Sequence, residues 1–136
     1  MKRQNLKQPI AIMALNTEHD TAYETACIRR AVRYDAGIKT LCGCYAGQGE
    51  FSYLVTLPED QDKRSKAISC LTKLGKDHDQ ATILVSDEYR DTWLVSCQYP
   101  VHWLPTGKLK QVSKTEAKTR DGYTYDPETR SYWVTV

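Results

Sequence analysis

The chain has 136 residues, and its 19 basic and 17 acidic side chains give a formal net charge of +2. This length predicts one domain that buries a real core without disulfides or metals. The near balance of charge argues against an acidic DNA mimic and gives little support to nucleic-acid binding. The longest apolar run near the start, 10–15, is too short for a signal peptide or a membrane span, so we expect a cytoplasmic protein.

The cysteines predict free thiols rather than a metal centre. No C-x-x-C pair occurs, and only two of the five cysteines are close together in sequence, whereas a structural zinc site needs two clustered ligand pairs. The five are Cys27, Cys42, Cys44, Cys70 and Cys97. We therefore expect no metal and no cofactor.

Hydrophobic periodicity predicts four strands and two helices in the order β-α-β-β-α-β, with a fifth strand after them. The predicted strands cover 9–16, 39–46, 50–57, 80–87 and 91–99, and the predicted helices cover 16–37 and 58–77. A tight turn over 46–49 joins the second and third strands. In the first helix the inward stripe is Tyr23, Cys27, Ala31 and Tyr34, and in the second helix Gly75 is expected to end the helix.

The pattern changes after residue 100. Two short runs, 122–126 and 131–136, predict a hairpin around the turn at Asp126 and Pro127. The Lys- and Thr-rich stretch 108–120 predicts a solvated loop. We expect a single domain over residues 1–136, with a core of about 8–99 and a C-terminal extension of about 100–136.

The predicted order of elements is that of an α+β ferredoxin-like sandwich, with both helices on one face of an antiparallel sheet and extra C-terminal strands. The other face would carry Ser52, Leu54, Thr56, Leu84 and Leu94. This mixture of apolar and small polar groups is a poor water-facing surface, and self-association would cover it.

Two polar residues flank the glycine-rich turn in "CYAGQGEF", namely Tyr45 and Glu50. Both residues would lie at the mouth of one hairpin. They either form the edge of a small-molecule site or belong to an ordinary turn that is exposed to solvent. Gln80 opens the fourth strand and is either a third site residue or a polar strand start. Ser52 is expected on the same face of its strand as Glu50.

Other sites have weaker support in the sequence. The three histidines, His19, His78 and His102, are dispersed, and "GQGE" lacks the lysine and the following helix of a phosphate-binding loop. An RNA-recognition domain would share the order of elements, but the first strand has no aromatic residue to stack on bases.

Separated motifs of the chain resemble the bacteriophage S-adenosylmethionine lyases, long described as S-adenosylmethionine hydrolases. The N-terminal motifs are "GCY" at 43–45, the glutamate of "EFSYLV" at Glu50, and the glutamine that opens "QATILV" at Gln80. The C-terminal motifs are "LP" at 104–105, "QVSK" at 111–114, "GYT" at 122–124, and an aromatic residue before the final valine-rich run.

The resemblance implies a PII-like trimer of ferredoxin-like subunits with substrate sites between subunits. It also implies that S-adenosylmethionine is split to 5′-methylthioadenosine and homoserine lactone, which would starve host restriction and modification enzymes. Glu50 and Tyr45 are then the predicted catalytic residues, and the predicted substrate-binding residues are Gln80, Gln48, Gly49 and Ser52.

Three alternatives remain open at this point. A hydrolase would use Glu50 as a general base for water and give homoserine. A non-enzymatic PII-like sensor would bind an adenine nucleotide and return it unchanged. An RNA-binding module would show salt-dependent affinity that does not depend on Glu50.

Overall fold

A computed structural model of the chain describes residues 8–15, 20–45, 48–98 and 100–136, and for residues 44, 45 and 48–50 it describes the backbone alone. The described residues form eight strands and three helices. In chain order these are β1 (Ile10–Met13), α1 (Thr21–Val32), β2 (Ile38–Tyr45), β3 (Gln48–Thr56), α2 (Gln61–Asp77), β4 (Thr82–Ser86), β5 (Asp91–Ser96), β6 (Trp103–Val112), α3 (Lys114–Lys118), β7 (Gly122–Asp126) and β8 (Ser131–Thr135). None of the described helices has the length and apolar character that a membrane crossing requires.

The eight strands close into an antiparallel barrel in the order β1-β3-β2-β7-β8-β6-β5-β4. Closure occurs at β1, because Ile12 pairs with Leu54 of β3 on one side and with Leu84 of β4 on the other. The predicted ferredoxin-like sandwich, with its PII-like build, is therefore wrong. The strands do not stop as an open sheet after β5 but continue through β6, β8 and β7 back to β2.

The C-terminal residues close the barrel. The predicted hairpin of 122–126 and 131–136 is confirmed, since Thr124 pairs with Trp133 across β7 and β8. The predicted loop at 108–120 is wrong, because β6 extends to Val112 and α3 follows it. Ala117 of α3 and Val134 of β8 are both buried, and α3 lies against β7 and β8.

The face that was expected to need a second subunit instead lines the barrel interior. Along β3, Tyr53 and Val55 point outward into a core beneath α1 and α2, while Leu54 and Thr56 line a cavity inside the barrel. Alternation along a strand separates these two sets. Barrel closure within one chain therefore covers the face that self-association was expected to cover.

The stripe predicted for α1 is correct only in part, because Cys27 and Tyr34 pack partly buried against the core while the fully buried residues lie one position further along the helix. Its buried residues are Glu24, Ile28 and Val32, whereas Tyr23 is 46% exposed. The helix begins after Asp20, whose carboxylate accepts a hydrogen bond from the Tyr23 amide at 2.9 Å. Glu24 can be buried because the Tyr53 hydroxyl donates a hydrogen bond to its carboxylate.

Gly75 does not end α2 as predicted, because the helix continues to Asp77. The glycine is buried where the helix crosses the segment that follows β5. A Cβ atom at this position would lie 2.6 Å from the Cys97 sulfur. The missing side chain is thus a packing requirement rather than a helix stop.

Candidate active site

The β2–β3 hairpin holds the two residues that the sequence singled out. Gly43 pairs with Glu50, Cys44 with Gly49, and Tyr45 with Gln48. The predicted four-residue turn is therefore shorter, since Gln48 and Gly49 belong to β3. The connecting residues 46 and 47 and the side chains of Tyr45, Gln48 and Glu50 lie outside the described part of the chain.

The pairing of the strands brings Gln80 to the same end of the barrel as this hairpin. Met13 pairs with Tyr53, and Ile12 pairs with Leu84, so the end of β1, the start of β3 and the start of β4 share one end of the barrel. β2 also finishes here, and its Tyr45 pairs with Gly122 at the start of β7. Residues far apart in sequence therefore meet at one rim.

A cavity of about 480 Å³ lies at this rim, and we call it the hairpin-end cavity. Ser52 and Gln80, two of the predicted substrate-binding residues, both line it. Its further walls include Gly122, Tyr123 and Thr124 of β7. Its volume is within the range of small-molecule sites, about 300–1,000 Å³.

The strand positions of Tyr45 and Glu50 adjoin this cavity. Tyr45 pairs with Gly122, which lines the cavity, and Glu50 pairs with Gly43, which in turn pairs with Thr124. Glu50 also lies two residues before Ser52 on β3, and residues two apart share a face of a strand. The hairpin thus contributes backbone positions to the same rim as Ser52 and Gln80.

Gln80 is fixed between α2 and β4 by hydrogen bonds at both ends of the residue. Its amide donates to the Gly75 carbonyl at 2.8 Å, and its own carbonyl accepts from the Gln98 side chain at 3.2 Å. Its carboxamide nitrogen donates to the His78 carbonyl at 3.3 Å. The described residues provide no donor to its carboxamide oxygen, which can therefore accept from a ligand.

The described wall of the hairpin-end cavity carries no charged side chain. It combines hydroxyls and an amide with apolar groups, among them Leu84, Leu94 and Trp133. In such surroundings a single carboxylate would dominate the local field, because the dielectric screening is weaker than in water. A cationic ligand at this rim would therefore be most sensitive to Glu50, the nearest acidic position along the two strands of the hairpin.

The sequence-based prediction missed the contribution of β7. Tyr123 lines the cavity, and its hydroxyl accepts a hydrogen bond from the Lys118 ammonium at 2.8 Å, which also lies 5.0 Å from the ring centre. The "GYT" motif at 122–124 was the available signal. It was noticed as part of the resemblance, but only the β2–β7 pairing puts it beside Tyr45 and Gly43.

The described residues contain no group of three or more His, Cys, Asp or Glu side chains that could hold a metal ion. Cys27, Cys42, Cys70 and Cys97 are all free thiols.

Comparison with known proteins supports the resemblance read from the motifs. A search of curated proteins finds no match to this chain. The profile of the S-adenosylmethionine lyase family, in contrast, matches residues 11–136, which includes every strand except the first residue of β1 and all the residues that line the hairpin-end cavity. The family name describes enzymes that act on S-adenosylmethionine, which confirms the expected substrate class. This match covers almost the whole sequence, and the chain therefore belongs to the S-adenosylmethionine lyase family.

Proposed function

We propose that this chain cleaves S-adenosylmethionine into 5′-methylthioadenosine and homoserine lactone at the hairpin-end cavity. The observation that carries this proposal is the meeting of Ser52, Gln80 and the strand positions of Tyr45 and Glu50 at one rim. Their convergence at a cavity of suitable volume supports a shared substrate site.

The proposed reaction needs little from the protein besides orientation. The sulfonium is already an activated leaving group, and the substrate's own carboxylate attacks its γ-carbon. A carbon–oxygen bond forms as the carbon–sulfur bond breaks, the electron pair goes to sulfur, and no proton is transferred. Orientation of an intramolecular nucleophile can contribute about 7–11 kcal/mol to lowering the barrier.

We assign Glu50 to the substrate's α-ammonium group, where its charge holds the chain in a bent conformation and leaves the carboxylate free to attack. Tyr45 and Gln80 hydrogen-bond the same end of the substrate, and Gln48, Gly49 and Ser52 line the site around them. The described wall of the cavity carries no charged side chain, which supports this assignment. The Glu50 carboxylate would then be the main group there that attracts the substrate's ammonium group.

We further propose that the active form is a homotrimer with sites between subunits, as the resemblance implies. Phe51 supports self-association, since its side chain lies on the outer face of β3, beside Tyr53, and is 47% exposed. Activity in a bacterial host cytoplasm would lower S-adenosylmethionine and so limit restriction and modification enzymes. The free thiols of the described cysteines are consistent with a reducing compartment.

The decisive experiment incubates the purified protein with S-adenosylmethionine in oxygen-18 water and follows the products by chromatography and mass spectrometry. We expect methylthioadenosine and homoserine lactone at early times. Later ring opening would place oxygen-18 in the carboxylate of homoserine. Direct attack of water at the γ-carbon would instead label the homoserine hydroxyl and would identify a hydrolase.

Glu50→Gln should lower the turnover number by about 100-fold or more, as loss of a key electrostatic contact does in other enzymes. The matched control is Glu59→Gln, because Glu59 is an exposed glutamate in the segment that follows the same strand. The control should keep full activity. Recovery of S-adenosylmethionine unchanged from the wild-type protein would contradict the enzyme proposal.

A further inference from the structure

The hairpin-end cavity continues into the barrel. A further cavity of about 320 Å³, which we call the far-end cavity, lies at the end where β1 and β2 begin. Four residues line both cavities, and we call them the shared layer: Ile12, Leu109, Thr124 and Trp133. The two cavities therefore belong to one lumen, which the shared layer narrows between the ends of the barrel. Eight-stranded barrels are wide enough either to be filled by side chains or to hold one small ligand.

Side chains do not fill the far-end cavity. Protein interiors contain few voids larger than a water molecule, because side chains around an empty space lose dispersion contacts. Thr56 and Thr124 line this part of the lumen, where larger side chains would occupy the space. The far-end cavity therefore leaves room for part of a ligand.

The lumen is long enough for a ligand with two different ends. Ser52 lines the hairpin-end cavity, and Thr56 of the same strand lines the far-end cavity. These residues are four positions apart, which is about 13 Å along an antiparallel strand. S-Adenosylmethionine has two such ends, since its sulfonium joins an amino-acid chain to an adenosine. With the amino-acid end at Glu50 and Gln80, the adenosine would extend into the barrel.

The charged groups of the far-end cavity are paired, which favours an uncharged ligand group there. The Lys39 ammonium lies 2.6 Å from the Asp126 carboxylate and 3.3 Å from that of Glu128. The Arg90 guanidinium donates to the Gln8 carbonyl at 3.1 Å. With Glu128 included, the described cations and carboxylates are equal in number, so no excess charge selects an ion. Adenosine is uncharged, whereas the amino-acid end of the substrate carries both an ammonium and a carboxylate.

An aromatic ring borders the route between the two cavities. The Trp133 indole belongs to the shared layer, and its N–H donates to the Ser131 hydroxyl at 2.9 Å. This bond satisfies the polar atom of the indole and leaves its apolar surface for the lumen. Leu41 and Leu54 add further apolar wall to the far-end cavity. Nucleic-acid bases stack on aromatic side chains, so these walls match an adenine ring.

Thr56 provides a polar group in the same cavity. Its hydroxyl oxygen accepts a hydrogen bond from the Gly37 amide at 2.8 Å. In the part of the chain that the structure describes, no group accepts the proton of this hydroxyl. The Thr56 hydroxyl can therefore donate to a ring nitrogen of a base.

We propose that the far-end cavity holds the adenosine half of S-adenosylmethionine, so that the substrate lies along the lumen with its sulfonium at the shared layer. This inference rests on the proposed function of the hairpin-end cavity and extends it. Trp133 and Leu54 pack against the adenine, and Thr56 donates a hydrogen bond to it. These three residues determine specificity for adenosine, whereas Glu50 and Gln80 hold the amino-acid end.

Binding of 5′-methylthioadenosine, the neutral adenosine product, tests the proposal without turnover. Isothermal titration calorimetry should give one molecule bound per chain. Leu54→Trp should fill the far-end cavity and weaken this binding by about tenfold or more. Tyr89→Trp is the matched control and should bind like the wild type, because Tyr89 is 73% exposed and lines neither cavity. Circular dichroism checks that both variants fold.

Thr56→Val tests the polar contact with little change in shape. It should weaken binding of methylthioadenosine by about fivefold or more, and Thr56→Ser should restore most of the affinity, because serine keeps the donor. Equal affinity of Thr56→Val and Thr56→Ser would remove the assigned hydrogen bond. Unchanged affinity in both Thr56→Val and Leu54→Trp would overturn the proposal.

Glu50→Gln distinguishes the two ends of the lumen. It should leave binding of methylthioadenosine unchanged, because the product lacks the amino-acid chain. If Glu50→Gln weakens this binding as much as Leu54→Trp does, the adenosine lies at the hairpin rim and the proposal fails. Cleavage of S-adenosylmethionine by a protein whose affinity for methylthioadenosine does not depend on Leu54 would overturn this inference and leave the lyase proposal intact. Binding that depends on Leu54 without any cleavage would contradict the lyase proposal alone.

Discussion

At the residue scale, the contact between Tyr53 and Glu24 joins β3 to α1 in the buried core. Tyr53 is fully buried, and its hydroxyl donates to the Glu24 carboxylate. Burial, followed by the hydrogen bond to Glu24, raises the pKa of Tyr53 to about 12. An unfolded tyrosine ionises near pH 10, so the unfolded chain loses this proton first. The contribution of Tyr53 to stability is therefore complete below about pH 10 and is lost as the pH rises towards about 12.

We expect Tyr53→Phe to lower the free energy of unfolding at neutral pH by about 1–3 kcal/mol, because Glu24 remains buried without this donor. The decline in stability above pH 10 should also become shallower. Tyr34→Phe is the matched control, since the pKa of Tyr34 is also raised to about 12 but its hydroxyl donates to a backbone carbonyl rather than to a carboxylate. Urea unfolding between pH 7 and pH 12 would measure both effects. If both variants lose the same free energy of unfolding at neutral pH, removal of the donor to the buried Glu24 carboxylate costs no more than removal of the donor to a backbone carbonyl, which would contradict the prediction.

At the element scale, α2 packs so closely on the segment after β5 that one helical position admits no side chain. Alanine in place of Gly75 would favour the helix by about 1 kcal/mol, yet its Cβ atom would meet the buried Cys97 sulfur at 2.6 Å. We expect Gly75→Ala to destabilise the wild-type protein and to be neutral or stabilising in a Cys97→Ala background. A double-mutant cycle of urea unfolding should give a coupling of about 1–2 kcal/mol. Stabilisation by Gly75→Ala in both backgrounds would show that the thiol moves aside without cost.

The strands with strong hydrophobic alternation were predictable from the sequence, and the weakly alternating one was not. β3 and the β7–β8 hairpin were identified, with ends that differ by a few residues. β6 was missed because most of its side chains are exposed and it contains Pro105, Gly107 and three lysine or glutamine residues after them. β6 is a strand because it hydrogen-bonds to β5 on one side and to β8 on the other. Its own residues do not predict this pairing.

The α1 stripe was predicted one residue out of phase for a related reason. An acidic residue is almost never buried unless it is paired, and no local pattern in the sequence shows that Glu24 has a partner. Its partner, Tyr53, is 29 residues away in the sequence. This long-range hydrogen bond allows Glu24 to face inward on the same side of the helix as Ile28 and Val32.

At the scale of the whole molecule, barrel closure explains both the wrong fold prediction and the meeting of two predicted site residues at one cavity. Ser52 and Gln80 are 28 residues apart in the sequence, and they line one cavity because the starts of β3 and β4 share an end of the barrel. The β7 wall was missed because β2 and β7 are almost 80 residues apart. The order of elements along the chain does not show which distant strands pair, and it therefore predicted an open sheet.

The proposed homotrimer should appear in native mass spectrometry at three times the 15.6 kDa of one chain. Phe51→Glu should shift the distribution to the monomer and reduce activity, because it places a charge on the exposed apolar surface at the outer face of β3. Tyr89→Glu is the matched control, since Tyr89 is 73% exposed and does not line the hairpin-end cavity. A wild-type protein that is monomeric at working concentration and fully active would contradict the trimer and leave the lyase proposal intact.

The position of the β7–β8 hairpin between β2 and β6 has a consequence for synthesis on the ribosome. A nascent chain emerges from its N-terminus at about 5–20 residues per second, so β2 is available for several seconds before its partner β7 exists. During that time the free edge of β2, joined shortly before β7 by the free edge of β6, presents unpaired amide and carbonyl groups, which are templates for aggregation. Chaperones that bind exposed strands would therefore act on this protein late in translation, and slow codons just before residue 122 would lengthen the vulnerable period.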